Sequence, residues 1–254
     1  MFKNERPVVL SIGGHDPSNG AGIGADVKTM EFLKVIGLTV CSAQTIQTDK
    51  TVRMIEWIEE DLVLGQVVAL LDRFNVDSVK ISMVKDLELI CDCAEKIRLV
   101  CPDTRIIWDP IIESSSGYPF IQSLTNQLLR EILHRVDGII PNFSEWETIE
   151  QIMKQTPAEL ANTTFTNIIV KGGHDSMNKG VDMLYTPSET YEFKPFDILK
   201  GYEKHGSGCM FSTALACYLA MGYSWQKATQ SAKSFTYHRM VSNTSLLAYY
   251  EPDK

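Results

Sequence analysis

The stretch Lys204–Leu215 reads KHGSGCMFSTAL, a loop of small residues that runs directly into an apolar helical pattern. Gly206 and Gly208 flank a single hydroxyl, so the backbone can turn tightly and aim successive N–H groups at one point. The helix that follows adds the positive end of its dipole, and such a loop can hold a phosphate or an oxyanion. The alternative is an ordinary helix start with Ser207 as its N-cap.

The overall composition is that of a globular protein with a substantial core. The chain has 254 residues, of which 44% are hydrophobic, enough for one large α/β domain or two small ones. The formal net charge is −8, and no basic stretch is present to neutralise a phosphate backbone, so we predict no nucleic-acid partner. Any anionic ligand must then be bound by local cationic groups.

Short runs rich in Val and Ile alternate along the chain with amphipathic helical segments. This βαβ order predicts an α/β fold, a three-layer α/β/α sandwich around a mainly parallel sheet. We see no internal repeat or linker and therefore predict a single domain over residues 1–254. The predicted strands are Val8–Ile12, Leu38–Ala43, Ser78–Ile81, Arg105–Trp108, Gly138–Ile140 and Asn167–Val170, with a hairpin of Val181–Tyr185 and Thr190–Phe193; the predicted helices are Ala25–Leu33, Leu62–Phe74, Leu87–Leu99, Leu124–His134, Glu145–Met153, 209–221 and 226–241.

Several features indicate a cytoplasmic location without a membrane anchor. The apolar run Val8–Ile12 is too short for a signal peptide. The uncharged window 206–225 holds glycines, hydroxyls and tyrosines, which indicates a buried helix rather than a membrane span. Six cysteines without a signal indicate reduced thiols. Cys91 and Cys93 stand two apart in a helical pattern and point to different faces, which disfavours a metal site that includes Cys101.

Open parallel sheets bind their ligands beyond the carboxyl ends of the strands. The first predicted strand runs into Gly13–Asp26, GGHDPSNGAGIGAD, which is neither a dinucleotide fingerprint nor a P-loop because the glycine spacing differs. It indicates either close backbone approach to a small ligand or a flexible loop, and His15–Ala25 is our candidate for a moving segment. Gln47, beyond the second strand, can offer a donor and an acceptor to a flat heterocycle.

Two further strand ends carry groups suited to metal and phosphate chemistry. Asn142 and Glu145 stand three residues apart at a predicted helix start, a spacing that suits water-mediated Mg²⁺ binding; equally, Asn142 or Ser144 caps the helix. Lys171 follows the strand that ends at Val170 and is either a charge clamp for phosphate transfer or a surface lysine. The residues alone leave both questions open.

Taken in order, these motifs resemble the hydroxymethylpyrimidine/phosphomethylpyrimidine kinases of thiamine biosynthesis, which belong to the ribokinase-like superfamily. The resemblance spans roughly residues 8–235, and the ordered set is far more specific than any one motif. The motifs that carry it are Gly13–Asp26, the Gln47 loop, Val79–Met83, Trp108–Pro110, Pro141–Glu145, Lys171–His174 and His205–Cys209.

The resemblance implies ATP-dependent phosphorylation of the hydroxymethyl group of 4-amino-5-hydroxymethyl-2-methylpyrimidine, and commonly of the resulting monophosphate as well. It also implies Mg²⁺ as a cofactor and, with the exposed hairpin near 181–193, a homodimer. By matching positions it assigns the pyrimidine to Gln47, Gly14, Ala21, Asp26, Thr45 and Met83, Mg²⁺ and its waters to Asn142 and Glu145, the transferring phosphate to Lys171, and the anion hole to Gly206, Ser207, Gly208 and Cys209.

Cys209 occupies the place where many ribokinase-like sugar kinases have an Asp as the base for the acceptor hydroxyl. We expect the helix N-terminus to lower the pKa of this thiol, so that a thiolate accepts the hydroxyl proton or contacts the substrate. The alternative is a small buried thiol that packs the helix start.

Four positions and the tail depart from the usual pattern of this family. Gly24 and Ser82 replace residues that are usually Gln and Gly, Asn19 replaces a Gly, and Ser207 stands where Thr is usual. We expect Ser82 to reshape the pyrimidine pocket. The tail 242–254 lacks the usual Gly-rich run that ends in Gly-Pro.

Two other functions compete with the pyrimidine kinase. A pyridoxal or pyridoxine kinase would use a related scaffold on another flat ring with a hydroxymethyl group, and Gln47 favours the aminopyrimidine over it. A non-catalytic pyrimidine-binding regulatory protein would not need phosphate-handling groups, and Asn142, Glu145 and Lys171 argue against it.

Overall fold

The computed structural model describes residues 6–112, 120, 124–174, 180–196 and 203–251. Nine strands form one sheet in the order β3-β2-β1-β4-β5-β6-β7-β8-β9. The six strands from β2 to β7 in this order run parallel, while β3, β8 and β9 pair antiparallel at the two edges. The strands are β1 Val8–His15, β2 Ile36–Gln47, β3 Val52–Trp57, β4 Ser78–Ile81, β5 Arg105–Trp108, β6 Gly138–Ile139, β7 Asn167–Val170, β8 Asp182–Tyr185 and β9 Thr190–Phe193.

Helices cover both faces of this sheet because alternate strand residues point to opposite sides. Leu10 packs with α2 to α6 in one apolar cluster, and its neighbour Val9 packs with α1, α7 and α8 in another. No helix in the described part of the chain is long and apolar enough to cross a membrane. The helices are α1 Gly22–Phe32, α2 Glu60–Arg73, α3 Glu88–Val100, α4 Asn126–Leu133, α5 Phe143–Met153, α6 Pro157–Thr164, α7 Ser207–Ala220 and α8 Trp225–Met240, with a 3-10 turn at Gly172–His174.

The three-layer α/β sandwich predicted from the sequence is confirmed, including the hairpin of β8 and β9. Two elements were not predicted. β3 lies at the sheet edge without a regular alternation of polar and apolar residues, and it pairs antiparallel with the long β2. α6 is short, but Thr156 and Glu159 form a capping box around Pro157 at its start, a signal present in the sequence. That residues 1–254 form one domain stays a prediction.

A buried ion pair fastens α1 to the sheet beneath the carboxyl ends of the strands. The Lys80 ammonium lies 2.8 Å from Asp26 Oδ1, and both side chains are fully buried. Thr213 on α7 donates to the same carboxylate at 2.5 Å, and Ser11 donates to its other oxygen at 2.6 Å. Burial alone would lower the pKa of Lys80, but Asp26 raises it above its ordinary value. The pair therefore joins β1, β4, α1 and α7.

Lys80→Met should destabilise the protein strongly because it leaves the Asp26 carboxylate buried without a cation. Loss of one partner of a buried pair costs about 3–5 kcal/mol, whereas replacing both partners by apolar residues is often neutral. Urea unfolding should therefore show a large loss of unfolding free energy for Lys80→Met and a partial recovery in Lys80→Met/Asp26→Leu. Equal stability of the single and double variants would contradict this account.

Candidate active site

The loop before α7 has the geometry of an anion-binding helix start. Gly206 is the N-cap, with φ of 79° in the left-handed region that favours glycine. A side chain at Gly206 would also strike the carbonyl oxygen of Gly20. The first N–H groups of α7, including those of Gly208 and Cys209, have no acceptor within the helix and are available to an anion. Ser207 is the first helical residue and does not cap the helix, so that alternative is wrong.

Lys171 lies at the rim of this loop. It follows β7, and its ammonium is 3.6 Å from the position that a Cβ on Gly208 would take. The same ammonium donates to Asp109 Oδ1 at 3.0 Å, and the side chain is only 15% exposed, which rules out a solvated surface lysine. Burial alone would lower the pKa of Lys171, but the carboxylates of Asp109 and Glu145 raise it. The cation therefore stays charged beside the anion-binding loop.

Asp109 is a site residue to which the sequence analysis assigned no role. It follows β5 directly, and its second oxygen accepts a hydrogen bond of 2.7 Å from Ser212 on α7. Asp109 thus holds Lys171 and α7 in register across the site. The sequence feature that could have indicated a role for Asp109 is its place directly after a buried strand, in the Trp108–Pro110 motif.

Asn142 and Glu145 form a capping box at the start of α5. Asn142 Oδ1 accepts from the N–H of Glu145 at 2.9 Å, and Glu145 Oε2 accepts from the N–H of Asn142 at 2.7 Å. Of the two capping residues considered, Asn142 is the cap. Burial raises the pKa of Glu145 to about 7, although Lys171 opposes this. The carboxyl group therefore titrates near neutral pH.

The oxygen groups around Lys171 fit a weakly held Mg²⁺. In the described ranges no cluster of three His, Cys, Asp or Glu residues could hold a metal ion by itself. Mg²⁺ usually keeps several waters and is held by one or two carboxylates together with substrate phosphates. The Asp109 and Glu145 carboxylates both interact electrostatically with Lys171 and with each other, so they belong to one charged cluster.

Cys209 lies in the first turn of α7 and is buried. Burial raises the pKa of its thiol, although the Lys80 ammonium and the N–H of Gly22 partly oppose this. Our expectation that the helix N-terminus lowers this pKa is therefore wrong, because removal of the thiolate from water costs more than the helix dipole returns.

The residues assigned to the pyrimidine lie mainly at the ends of β1 and β2. The Met83 sulfur packs 2.7 Å from the position of a Cβ on Gly14, so a side chain there would require Met83 to move. Thr45 Oγ1 donates to the carbonyl of His15 at 2.8 Å, and Ala21 is the N-cap of α1. Gln47 ends β2 opposite Val52, and its carboxamide has no hydrogen-bond partner among the described residues. These strand ends lie next to the loop before α7, since the backbone at Gly20 and Ala21 contacts Gly206.

Asp26 lies in the protein interior and is not exposed at these strand ends. Its carboxylate is fully buried and is bound by the Lys80, Thr213 and Ser11 side chains. A direct contact with the pyrimidine is therefore wrong for the structure as it stands, because every short contact of this carboxylate is to the protein interior. Asp26 instead links α1, on which it lies, to α7 through the hydrogen bond from Thr213.

His15 and Gln44 are two further polar residues at these strand ends that the sequence analysis left without a role. They are register partners in β1 and β2, and His15 Nδ1 lies 3.0 Å from Gln44 Oε1. The signal was their position at the carboxyl ends of adjacent strands.

Two of the departures from the family pattern compensate each other. Asn19 has φ of 54°, in the left-handed region, and its side chain lies over Gly24 so closely that a Cβ there would strike Asn19 Oδ1. The side chain at 19 thus fills space that a side chain at 24 would need. Ser82 is buried against Gly13 and donates to the carbonyl of Ile12 at 3.2 Å, so its hydroxyl is engaged by β1.

Comparison with known proteins agrees with this geometry. A family model described as phosphomethylpyrimidine kinase matches residues 16–253. The bifunctional thiamine biosynthesis protein ThiDN of Methanocaldococcus jannaschii is 28% identical over 240 residues, covering 92% of this chain, and the chain spans about half (53%) of that protein's length. The hydroxymethylpyrimidine/phosphomethylpyrimidine kinase of Aquifex aeolicus is 29% identical over 252 residues, which cover 96% of this chain and 98% of that protein.

Solved structures give the same fold. The crystal structure of phosphomethylpyrimidine kinase from Clostridium difficile 630 superimposes with a TM-score of 0.75 at 26% identity, over 92% of this chain and 99% of that one. Pyridoxal kinase from Staphylococcus aureus, in complex with AMP-PCP and pyridoxal, reaches a TM-score of 0.79 at 24% identity, over 93% of this chain and 88% of that one, a likeness of fold alone. The chain therefore belongs to the phosphomethylpyrimidine kinase family and has the ribokinase-like fold.

Proposed function

We propose that this chain transfers the γ-phosphate of ATP to the hydroxymethyl oxygen of 4-amino-5-hydroxymethyl-2-methylpyrimidine, and that it can act again on the monophosphate. The observation that carries the proposal is the Lys171 ammonium at 3.0 Å from Asp109, held at the rim of the Gly206–Gly208 loop. A fixed cation beside free helix N–H groups is what phosphoryl transfer needs, since catalysis there is mainly positioning and charge neutralisation.

The transfer proceeds by displacement at the γ-phosphorus. The acceptor oxygen bonds to the γ-phosphorus, the bond from that phosphorus to ADP breaks, and the hydroxyl proton passes to solvent water. Lys171 and the N–H groups of Gly208 and Cys209 balance the charge on the phosphoryl oxygens. Mg²⁺, when bound, neutralises phosphate charge, and Asn142, Glu145 and Asp109 are the residues that would hold it or its waters.

Cys209 is assigned a contact to the acceptor rather than the role of base. A thiol whose pKa burial raises is protonated at neutral pH. A loose transition state for phosphoryl transfer also depends little on early removal of the acceptor proton.

Gln47 favours an aminopyrimidine over pyridoxal as the acceptor. A free carboxamide both donates and accepts, which matches an exocyclic amine beside a ring nitrogen. A binding protein without activity would not need the Lys171–Asp109 pair. The homodimer and the cytoplasmic location stay predictions from the sequence.

The direct test is ATP consumption with Mg²⁺ in the presence of hydroxymethylpyrimidine, its monophosphate or pyridoxal. We expect turnover with the first, and turnover with the second would establish the two-step activity. Turnover of pyridoxal alone would instead identify the chain as a pyridoxal kinase. No turnover with any acceptor would contradict the kinase proposal.

Cys209→Ala should raise the KM for the acceptor about tenfold with a smaller change in kcat, because it removes a ground-state contact. Cys209→Ser should recover most of this loss. Steady-state kinetics check both, with Cys217→Ala as the control, since Cys217 is buried two turns further along α7. A collapse of kcat in both Cys209 variants would instead make the thiol the base.

The Mg²⁺ requirement should depend on pH through Glu145. With a pKa of about 7, the carboxyl group must lose a proton before it can bind a cation. The Mg²⁺ concentration for half-maximal rate should therefore rise about tenfold from pH 8 to pH 6. Glu145→Gln, which keeps the capping box, should need more Mg²⁺ and lose this pH dependence.

The same raised pKa predicts the sign of a stability change without ligands. The folded protein binds the Glu145 proton more tightly than the unfolded chain, so this group lowers stability as pH rises from 4.5 to about 7. The stability of Glu145→Gln relative to the parent should increase over that window in urea unfolding. A constant difference would show that Glu145 titrates normally.

A further inference from the structure

Two loops of the candidate site are joined by a side-chain pair that no role above includes. His205 Nε2 lies 2.9 Å from Asp16 Oδ2, and the two side chains are 14% and 2% exposed. Asp16 belongs to the loop after β1, and His205 stands directly before Gly206. The pair therefore connects the acceptor side of the site to the phosphate side.

Asp16 organises its own loop through the same carboxylate. It accepts hydrogen bonds from the N–H and Oγ of Ser18, both 2.8 Å, and from the N–H of Ala21 at 2.9 Å. Burial alone would raise the pKa of Asp16, but His205 and these donors lower it below its ordinary value. A carboxylate anion thus sets the path of the backbone from 16 to 21.

The two loops are also in direct contact, with glycine on each side. A Cβ on Gly20 would lie 2.6 Å from the His205 ring, and a Cβ on Gly206 would strike the carbonyl of Gly20. A side chain at Gly206 would force the two backbones apart, whereas one at Gly20 would displace the side chains of His205 and Leu247.

Residues after α8 bind the backbone of His205 and the side chain of its neighbour Lys204. The N–H of His205 donates to the carbonyl of Leu246 at 2.9 Å. The neighbouring Lys204 ammonium donates to the carbonyls of Asn243 and Ser245, each at 2.6 Å. Residues 242–247 thus restrict the backbone on which the imidazole is carried.

We propose that the Asp16–His205 pair is a latch that holds the acceptor loop, residues 13–21, at a fixed distance from the phosphate loop, residues 205–208. His205 is then a positioning residue, since it acts through Asp16 and the Gly206 backbone. This inference rests on the proposed kinase function. Effective alignment of two bound reactants is worth many orders of magnitude in rate, and loss of a fixed separation lowers the rate of transfer without removing either binding site.

Release of the latch has a specific consequence for the reaction. If the acceptor hydroxyl is held less well, water can take its place: its oxygen bonds to the γ-phosphorus, the bond to ADP breaks, one water proton passes to solvent and the other stays on the released inorganic phosphate. The ratio of ATP consumed to acceptor phosphorylated should then rise.

Two variants of His205 separate the latch from simple packing. His205→Gln keeps an N–H donor toward Asp16, whereas His205→Leu keeps bulk on Gly20 but no donor. We expect His205→Leu to lower kcat about 30-fold, with the KM for ATP within threefold, and to raise the ratio of ATP consumed to product formed. His205→Gln should remain within about threefold of the parent. The control is His134→Ala, at the exposed end of α4.

Amide hydrogen exchange tests the latch independently of activity. His205→Leu should raise exchange about tenfold in both 16–21 and 205–208, whereas His205→Gln and His134→Ala should not. Faster exchange in 205–208 alone, or equal effects of Leu and Gln in either experiment, would overturn the latch. If the parent protein phosphorylates no acceptor, the proposed function fails, and the exchange result still decides whether the latch exists.

Discussion

The site depends on an approach between two backbones that is closer than any side chain allows. Gly206 must adopt a left-handed conformation at the start of α7, and its α-carbon faces the carbonyl of Gly20 in the loop after β1. Because the approach is fixed by backbone atoms, it sets where the free N–H groups of α7 lie relative to the end of β1. The positions of Lys171 and Cys209 relative to the end of β1 also depend on that contact. Glycine is therefore required at position 206 for steric reasons. The Asp16–His205 hydrogen bond adds a polar link across the same contact.

In a protein with a net negative charge, an anionic ligand must be bound by individual cationic side chains. Three lysines with largely buried side chains each form an ion pair with a carboxylate. Lys80 pairs with Asp26 below the site, and Lys171 pairs with Asp109 at its rim. Lys233 on α8 lies 2.6 Å from Asp182, whose other oxygen accepts the N–H of Gly172 and so fixes the backbone just after Lys171. Each ammonium is matched by a carboxylate, as burial of a charge requires. Of the three, only Lys171 has an ammonium next to the anion-binding loop, which is why it can serve both the fold and a phosphate.

The sequence predicted the layers and the positions of most strands well because those depend on local patterns, although β1 and β2 extend to His15 and Gln47, beyond their predicted ends at Ile12 and Ala43. The strands at Arg105–Trp108 and Asn167–Val170 each contain three consecutive apolar residues, which is typical of strands covered on both faces. The sequence could not show that the Asp26 side chain points into the interior. This orientation depends on Lys80, which is 54 residues away in the chain. The raised pKa of the Cys209 thiol was also out of reach, since the depth of burial is a property of the packed helix and not of its first turn. Asp109 followed a recognisable strand, yet only the structure shows that it binds Lys171 and Ser212 together.

The contact between Asn19 and Gly24 has an evolutionary consequence. The Asn19 side chain occupies the volume that any side chain at 24 would need, and its left-handed backbone is one that glycine also adopts freely. The two positions are therefore coupled: a side chain at 24 would require the Asn19 side chain to move, whereas glycine at 19 removes that obstacle. With glycine at both positions the loop would lose a side-chain contact but keep its backbone path, so a change at either position alters the steric cost of a change at the other.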